Sequence, residues 1–127
     1  MFFIPAENKN TKPYIDIGEK WSTERVNQLR DEKRNILLNF TADWCLTCKV
    51  NERLVLNSKE FISLIENDEI VYLVADWTKY DPKITEELEK YKRAGVPLYL
   101  YWSQGSDEVK ILPAVLTKSI LYDHLKL

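Results

Sequence analysis

Three short, nearly continuous apolar runs mark the interior of this chain. They are Ile36–Phe40, Ile70–Ala75 and Leu98–Trp102, and each is bounded by polar residues. Uninterrupted apolar runs of this length are typical of strands that are buried on both faces of a sheet. The sequence therefore predicts three central strands.

The segments between these runs carry helix signals. Ser22 is placed to cap a helix that turns Val26 and Leu29 inward, and Asp81-Pro82 combines an N-cap acid with proline at the first helical position. After Ala42, Val50, Leu54 and Val55 recur at helix spacing, and a capping-box-like Asn57–Glu60 precedes a short helix with Phe61, Ile62 and Ile65. The helix that begins at Asp81-Pro82 has an inward stripe of Ile84, Leu88 and Tyr91, and Gly95 is expected to stop it. Thr117 is placed to cap a last helix through Leu125.

The two ends of the pattern complete the predicted fold. Alternation at Tyr14–Ile17 indicates a first strand after an extended lead-in at 1–13, and the turn at 103–107 joins the third apolar run to Val109–Leu112 as a hairpin. The order βαβα(α)βαββα implies parallel pairing early and antiparallel pairing late. We expect one α/β domain over 14–127, with a central mixed β-sheet flanked by helices on both faces.

Composition and charge exclude some classes of function. A chain of 127 residues is long enough for one domain with a sizeable core, and a net charge of −2 without a basic stripe gives no footprint for nucleic acid. No apolar run approaches the roughly 20 residues that span a bilayer. We therefore expect a monomeric soluble domain that does not bind nucleic acid.

The only two cysteines, Cys45 and Cys48, are three positions apart at the joint between the first apolar run and a helix. Two thiols cannot fill a structural zinc site, which needs four ligands, and the single histidine, His124, is far away in sequence. A zinc site would need His124 with a carboxylate, or a dimer. A second alternative is a pair of buried core cysteines, and the third is a redox pair.

The position of the pair favours redox chemistry. Cys45 falls at a helix start that follows a strand, where free N–H groups and the helix dipole favour thiolate over thiol. Cys48 lies one turn behind on the same side, close enough to displace a partner captured by Cys45. We predict Cys45 as the exposed attacking thiol and Cys48 as the shielded resolving thiol, with their disulfide as the redox group and no other cofactor or metal.

Neighbouring side chains have candidate roles with structural alternatives. Glu52 shares a helix face with both cysteines and is placed to take the proton of Cys48, although it could equally be a solvated glutamate paired with Lys49 or Arg53. Trp44 is a candidate contact surface beside the exposed sulfur, or a core residue. Lys49 could favour the Cys45 thiolate, and His124 is expected on the surface of the last helix.

These residues resemble the thioredoxin superfamily. Trp44-Cys45-x-x-Cys48-Lys49 follows an apolar strand, and Val96-Pro97 opens another strand further along the chain. The stretches "FTADWCLTCKVNE", "ADWT", "GVPLYLYW" and "LPAVLT" are similar to the C-terminal thioredoxin-like domain of the DsbD family, transmembrane thiol:disulfide interchange proteins of the bacterial envelope. The resemblance covers the chain from about residue 20 to its end.

The resemblance implies a thioredoxin-like fold and site. It places Pro97 in a cis bond facing Cys45, with the backbone of Val96 pairing to a strand of the bound partner. It also places an acid at Glu52. Asn39 departs from the family pattern, because such domains commonly carry a buried aspartate six residues before the first cysteine. An asparagine cannot shuttle a proton and must satisfy its amide within an apolar strand, which leaves Glu52 or water as the proton acceptor.

The resemblance also implies a protein-disulfide reductase in a pathway. Such a domain would take electrons from a membrane-embedded donor domain and pass them to periplasmic thiol-disulfide proteins, including those that serve cytochrome c maturation. The location would be the periplasm, with a tether to the inner membrane in the full-length protein. Two alternatives stay open: a free-standing soluble thioredoxin-like reductase, and a non-catalytic binding or metal-carrier module on the same scaffold.

Overall fold

The structure, a computed structural model, describes residues 17–126 as a five-stranded sheet between two layers of helices. The strands are β1 (Glu19–Lys20), β2 (Ile36–Thr41), β3 (Val71–Asp76), β4 (Leu98–Trp102) and β5 (Val109–Leu112). The helices are α1 (Thr23–Asp31), α2 (Leu46–Asn51), α3 (Lys59–Glu66), α4 (Pro82–Lys90) and α5 (Lys118–Leu125), and a π-helical segment (Glu52–Leu56) continues α2.

The sheet has the strand order β1-β3-β2-β4-β5. β1 and β2 both pair in parallel with β3, whereas β4 is antiparallel to β2 and to β5. The parallel pairs join strands of the early strand–helix–strand units. Of the antiparallel pairs, β4–β5 is the closing hairpin and β2–β4 joins that hairpin to the rest of the sheet. The predicted α/β fold with a mixed central sheet is confirmed.

Each face of the sheet carries its own apolar core, because successive side chains of a buried strand point to opposite faces. Ile36, Leu38 and Phe40 of β2 join one core with residues of α1 and α4. Leu37 joins the other core with residues of the π-helical segment, α3 and α5. This second face also receives Asn39, which is fully buried in an otherwise apolar strand.

The predicted helix starts are confirmed by their caps. A side-chain oxygen of Ser22, Ser58, Asp81 and Thr117 accepts a backbone N–H in the first turn of α1, α3, α4 and α5, respectively. Each cap satisfies one of the N–H groups that a helix start leaves without an intrahelical partner. The buried residues of these helices include Val26, Leu29, Phe61, Ile84 and Leu88, as the patterns indicate.

Three details differ from the sequence prediction or fall outside the described residues. The lead-in at 1–13 and most of the Tyr14–Ile17 strand are not described; Ile17 is, and it precedes β1, which begins at Glu19. Gly95 does not stop α4, which ends at Lys90 before a left-handed turn at Lys92. Leu54 is exposed, although its spacing predicts an inward position. The inner face of its helix carries the polar residues Asn51 and Glu52, so the spacing of apolar residues alone assigns the wrong face.

Candidate redox site at the carboxyl edge of the central strands

The two cysteines lie at the edge where the parallel strands β2 and β3 both end. Thr41, the last residue of β2, pairs with Asp76, the last of β3, and Cys45 follows four residues after Thr41. The antiparallel strand β4 begins at this same edge, since Leu98 pairs with Phe40. In open α/β sheets this edge is where functional groups are brought together.

Cys45 and Cys48 are joined by a disulfide, and their Cα atoms are 5.3 Å apart. Cys45 is the N-cap of α2, and its Sγ accepts a hydrogen bond from the backbone N–H of Cys48 at 3.2 Å. Cys45 is 8% exposed and Cys48 is fully buried. Cys48 is thus shielded, as the sequence predicts for the resolving thiol, whereas Cys45 is the more accessible of the two but far less exposed than predicted for the attacking thiol.

Val96 and Pro97 directly precede β4. The Val96–Pro97 peptide bond is cis, as the resemblance implies. Val96 packs against the small cluster of Ala42, Cys45 and Cys48. The structure thus brings Val96 next to the cysteine pair, with Pro97 bonded to it.

Trp44 is half exposed, at 50%, which excludes a simple core role. Its ring stacks on Tyr80 with centroids 5.6 Å apart, and its indole Nε1–H donates to the carbonyl of Thr78 at 3.1 Å. Trp77 meets Tyr80 edge to face at 5.0 Å. The Asp76–Thr78 turn after β3 therefore holds an exposed aromatic surface directly before Cys45.

Glu52 is buried, at 1% exposure, and lies on the helix face that carries both cysteines. The side-chain amide of Asn39 donates to Glu52 Oε2 at 3.0 Å. Lys49 Nζ lies 2.9 Å from Glu52 Oε1 as an ion pair, and 3.7 Å from an oxygen of Asp43. The solvated alternative for Glu52 is wrong, although its predicted pairing with Lys49 is present.

Among residues 17–126, only the NH₂ group of the Asn39 side-chain amide has hydrogen-bond partners. Its NH₂ group donates to Glu52 and to the Tyr72 hydroxyl at 2.9 Å. Its Oδ1 and the nearby Thr41 Oγ1 are buried, with no partner among residues 17–126. Burial raises the pKa of Tyr72, and the Glu52 carboxylate raises it further, so this hydroxyl stays protonated beside the acid. The expectation that Asn39 hydrogen bonds through its amide is confirmed for its NH₂ group.

Lys49 and His124 both make contacts near the ends of their side chains. The ammonium group of Lys49 pairs with Glu52 and Asp43. His124 is half-buried in α5, where its Nδ1 lies 2.8 Å from the carbonyl of Ile120, so it is less exposed than the sequence suggests. Across residues 17–126, no three His, Cys, Asp or Glu side chains come together as a metal site.

Sequence reasoning missed four residues around the site: Asn51, Tyr72, Tyr80 and Tyr99. Asn51 carried a usable signal, because it is three positions after Cys48 and therefore on the same helix face. Tyr72 and Tyr99 were expected only as sheet residues, and their hydroxyl contacts depend on strand register. Tyr80 gave no signal, since its place depends on a left-handed loop conformation with φ of 57°.

Fold and site together define the class: a thioredoxin-fold protein with a disulfide at the start of its active-site helix. The sequence profile of the Thioredoxin-like family matches residues 18–103, and the chain belongs to this family. Thiol–disulfide exchange is the chemistry that the Cys45–Cys48 pair supports.

Curated thiol:disulfide interchange proteins are similar to this chain. The thiol:disulfide interchange protein DsbD of Haemophilus influenzae is 30% identical over 107 residues, which are 83% of this chain and 18% of that protein. DsbD of Vibrio cholerae is 28% identical over 65% of this chain and 13% of its own length. The chain thus spans less than a fifth of these curated relatives. None of the helices within residues 17–126 is long and apolar enough to cross a membrane.

Solved structures show the same fold. The DsbD C-terminal domain of Neisseria meningitidis in its reduced form superposes with a TM-score of 0.65 at 18% identity, over 84% of this chain and 96% of that one. A thioredoxin from Thermus thermophilus also gives 0.65, at 14% identity, over 86% and 85% of the two chains. The predicted thioredoxin-like fold is confirmed.

Proposed function

We propose that this domain is a reductant that relays electron pairs by dithiol–disulfide exchange through Cys45 and Cys48. The observation that carries the proposal is the disulfide itself, which lies at the start of a helix and joins the slightly exposed Cys45 to the fully buried Cys48. Disulfide exchange needs this asymmetry, because one thiol must reach a partner while the other stays close enough to release it.

The proposed reaction transfers two electrons to the partner. In the reduced domain, the Cys45 thiolate attacks a disulfide of the partner, forms a mixed disulfide and expels one partner thiolate. The Cys48 thiol then loses its proton and attacks Cys45 Sγ, which forms the internal disulfide and releases the second partner sulfur as a thiolate. Both partner thiolates take up protons, so the partner is reduced and the domain is oxidised.

The Cys48 amide supports Cys45 as the attacking residue. This N–H donates to Cys45 Sγ even in the disulfide form. After reduction the same donor would stabilise a negative charge on that sulfur, as would the helix start at which Cys45 is the cap.

We assign the proton of Cys48 to Glu52. A carboxylate can act as a general base when it is within reach of the proton, and Glu52 is the buried acid on the cysteine face of the helix. Asn39 and Lys49 hold its two oxygens in place. Asn39 itself carries no titratable proton, so a single carboxylate performs this role.

The partner surface would comprise Trp44, Val96 and Pro97. Trp44 presents an exposed ring before Cys45, and Val96 packs beside the pair at the start of β4. An extended segment of the partner could pair with the backbone of Val96 while its disulfide reaches Cys45.

The names of the relatives support the proposed pathway. The curated relatives are named as thiol:disulfide interchange proteins, and this chain corresponds to less than a fifth of their length. We propose that a membrane-embedded partner domain donates the electrons, that periplasmic thiol-disulfide proteins receive them, and that the domain works in the periplasm while tethered to the inner membrane.

Trapping tests this proposal. In a Cys48→Ala variant the mixed disulfide cannot be resolved, so partners should accumulate in covalent complexes through Cys45 that a reductant releases. The matched Cys45→Ala variant should trap none. Complexes with a membrane protein and with periplasmic proteins support the relay, whereas complexes with soluble proteins alone favour a free-standing reductase. No covalent complex with either variant would contradict thiol–disulfide exchange altogether.

A further inference from the structure

Asn51 is a buried amide in the active-site helix, one turn after Cys48. It is the last residue of α2, where the helix changes to π-helical geometry. Asparagine is a poor helix former, and an apolar side chain would fill this inward position without polar cost. The amide of Asn51 makes hydrogen bonds that an apolar side chain could not make.

All of the described contacts of Asn51 lead away from its own helix. Its Nδ2 donates to the carbonyl of Ala114 at 2.7 Å and to the Tyr99 hydroxyl at 2.8 Å. Its Oδ1 accepts the backbone N–H of Leu116 at 3.1 Å. Two of these three bonds therefore hold the backbone of the segment between β5 and α5, 63 and 65 residues away in sequence.

The two backbone bonds bracket a single exposed residue. Val115 lies between Ala114 and Leu116, and it is 64% exposed while Leu116 is buried. Because the amide holds the residue on each side, it fixes the backbone from which Val115 projects. An apolar side chain at position 51 could pack against Leu116 but could not set this backbone position.

This segment reaches the edge of the sheet that carries the disulfide. Leu112, the last residue of β5, pairs with Tyr99 of β4. The chain that leaves β5 therefore continues past Leu98 in the direction of Pro97. The pairing thus directs the start of the 113–116 segment toward Val96–Pro97 on the side of β4 away from β2. Asn51 ties this segment to the helix of Cys45 and Cys48.

From this geometry we infer that Asn51 is a positioning residue for protein partners. It holds the 113–116 segment, with Val115 at its exposed point, as a second wall of the groove in which an extended polypeptide presents its disulfide to Cys45. The inference rests on the proposed exchange function and adds a specificity element to it. A small disulfide needs Cys45 but not this wall, so Asn51 controls the preference for protein disulfides.

Single-turnover oxidation of the pre-reduced domain tests this inference. The second-order rate constants are measured with insulin as the protein disulfide and with bis(2-hydroxyethyl) disulfide as the small one, and their ratio is the readout. We expect Asn51→Ala to lower the insulin-to-small-disulfide ratio at least tenfold, and Val115→Ser to lower it at least threefold. Loss of folded protein lowers both rate constants together, so it does not change the ratio.

Tyr99→Phe is the matched control. It removes one hydrogen bond of Asn51 and leaves both bonds to the segment, so its ratio should stay within twofold of wild type. A ratio within twofold in either Asn51→Ala or Val115→Ser overturns the inference, and if Asn51→Ala fails to fold, Val115→Ser alone decides. A wild-type domain that reacts with neither disulfide would instead refute the proposed exchange function.

Discussion

At the scale of single residues, the site has one buried carboxylate where two are common in related domains. Asn39 occupies the strand position and donates to Glu52 on the helix. Two carboxylates at this distance could not both ionise readily, whereas an amide and a carboxylate form a hydrogen bond without repulsion. The exchange of acid for amide therefore gives Glu52 a hydrogen-bond donor in the strand where a second carboxylate would repel it.

Replacing Glu52 tests its proposed role as the proton acceptor. Glu52→Gln keeps an oxygen that can accept from Asn39 but removes the base, so resolution of a mixed disulfide by Cys48 should slow more than tenfold. Stopped-flow release of a thiol reporter from a preformed mixed disulfide measures this step. Glu66→Gln, in an exposed glutamate of α3, is the matched control. A change under twofold in Glu52→Gln would remove the carboxylate from the mechanism.

Restoring an acid at the strand position gives a pH-dependent prediction. In Asn39→Asp, burial and the Glu52 carboxylate raise the pKa of the introduced carboxyl above its unfolded value. A raised carboxyl pKa costs stability as pH rises through it, so the free energy of unfolding should fall by about 1–3 kcal/mol at pH 7.

The difference from wild type should shrink as pH falls to about 4, where the unfolded chain is protonated as well. Urea denaturation at pH 4, 5.5 and 7 measures both proteins. A difference that is equal at all three values would show that repulsion between carboxylates does not act at this site.

The positions and contacts of the individual site residues were only partly predictable from the sequence. The shared helix face of Cys45, Cys48 and Glu52 follows from their spacing, and the structure has Glu52 buried on that face. The pairing of Lys49 with Glu52 was among the sequence alternatives, because side chains three positions apart on a helix are neighbours. The second contact of Lys49, with Asp43 before the helix, was not predictable from spacing along the helix.

At the scale of elements, four helices were predictable from their N-cap residues. The helix that follows Cys45 was harder to predict. Ser22, Ser58, Asp81 and Thr117 each begin a helix as their sequences indicate. The helical run from Leu46 to Leu56 lacks a clean apolar stripe, because its inner face carries polar side chains for the site. A helix that serves a site thus loses the hydrophobic periodicity by which its phase would be recognised.

The cap of α3 gives a prediction that separates stability from activity. Ser58 Oγ accepts the N–H of Phe61, whose ring is buried in the second core. Ser58→Ala should lower the free energy of unfolding by about 1 kcal/mol, as measured by urea denaturation. The rate of exchange with insulin should stay within twofold, since α3 carries no residue of the site. A tenfold loss of that rate would show that α3 takes part in the site.

At the scale of the whole molecule, strand topology assembles the site from distant parts of the chain. Parallel pairing of β2 with β3 brings the Asp76–Thr78 turn beside Trp44, and antiparallel pairing with β4 brings Val96 to the cysteines. The order of elements predicts both relations. The loops were not predictable, because Tyr80 takes its place from ring contacts with Trp44 and Trp77, and the 113–116 segment takes its place from two hydrogen bonds to Asn51.

The central claim is that Cys45 is the reactive, outward thiol of an exchanging pair. Alkylation of the reduced domain with iodoacetamide at pH 7, followed by mass spectrometry of each cysteine, tests it most directly. We predict that Cys45 is modified at least tenfold faster than both Cys48 and a cysteine in an unstructured peptide. Equal rates at Cys45 and in the peptide, or faster modification of Cys48, would contradict the account.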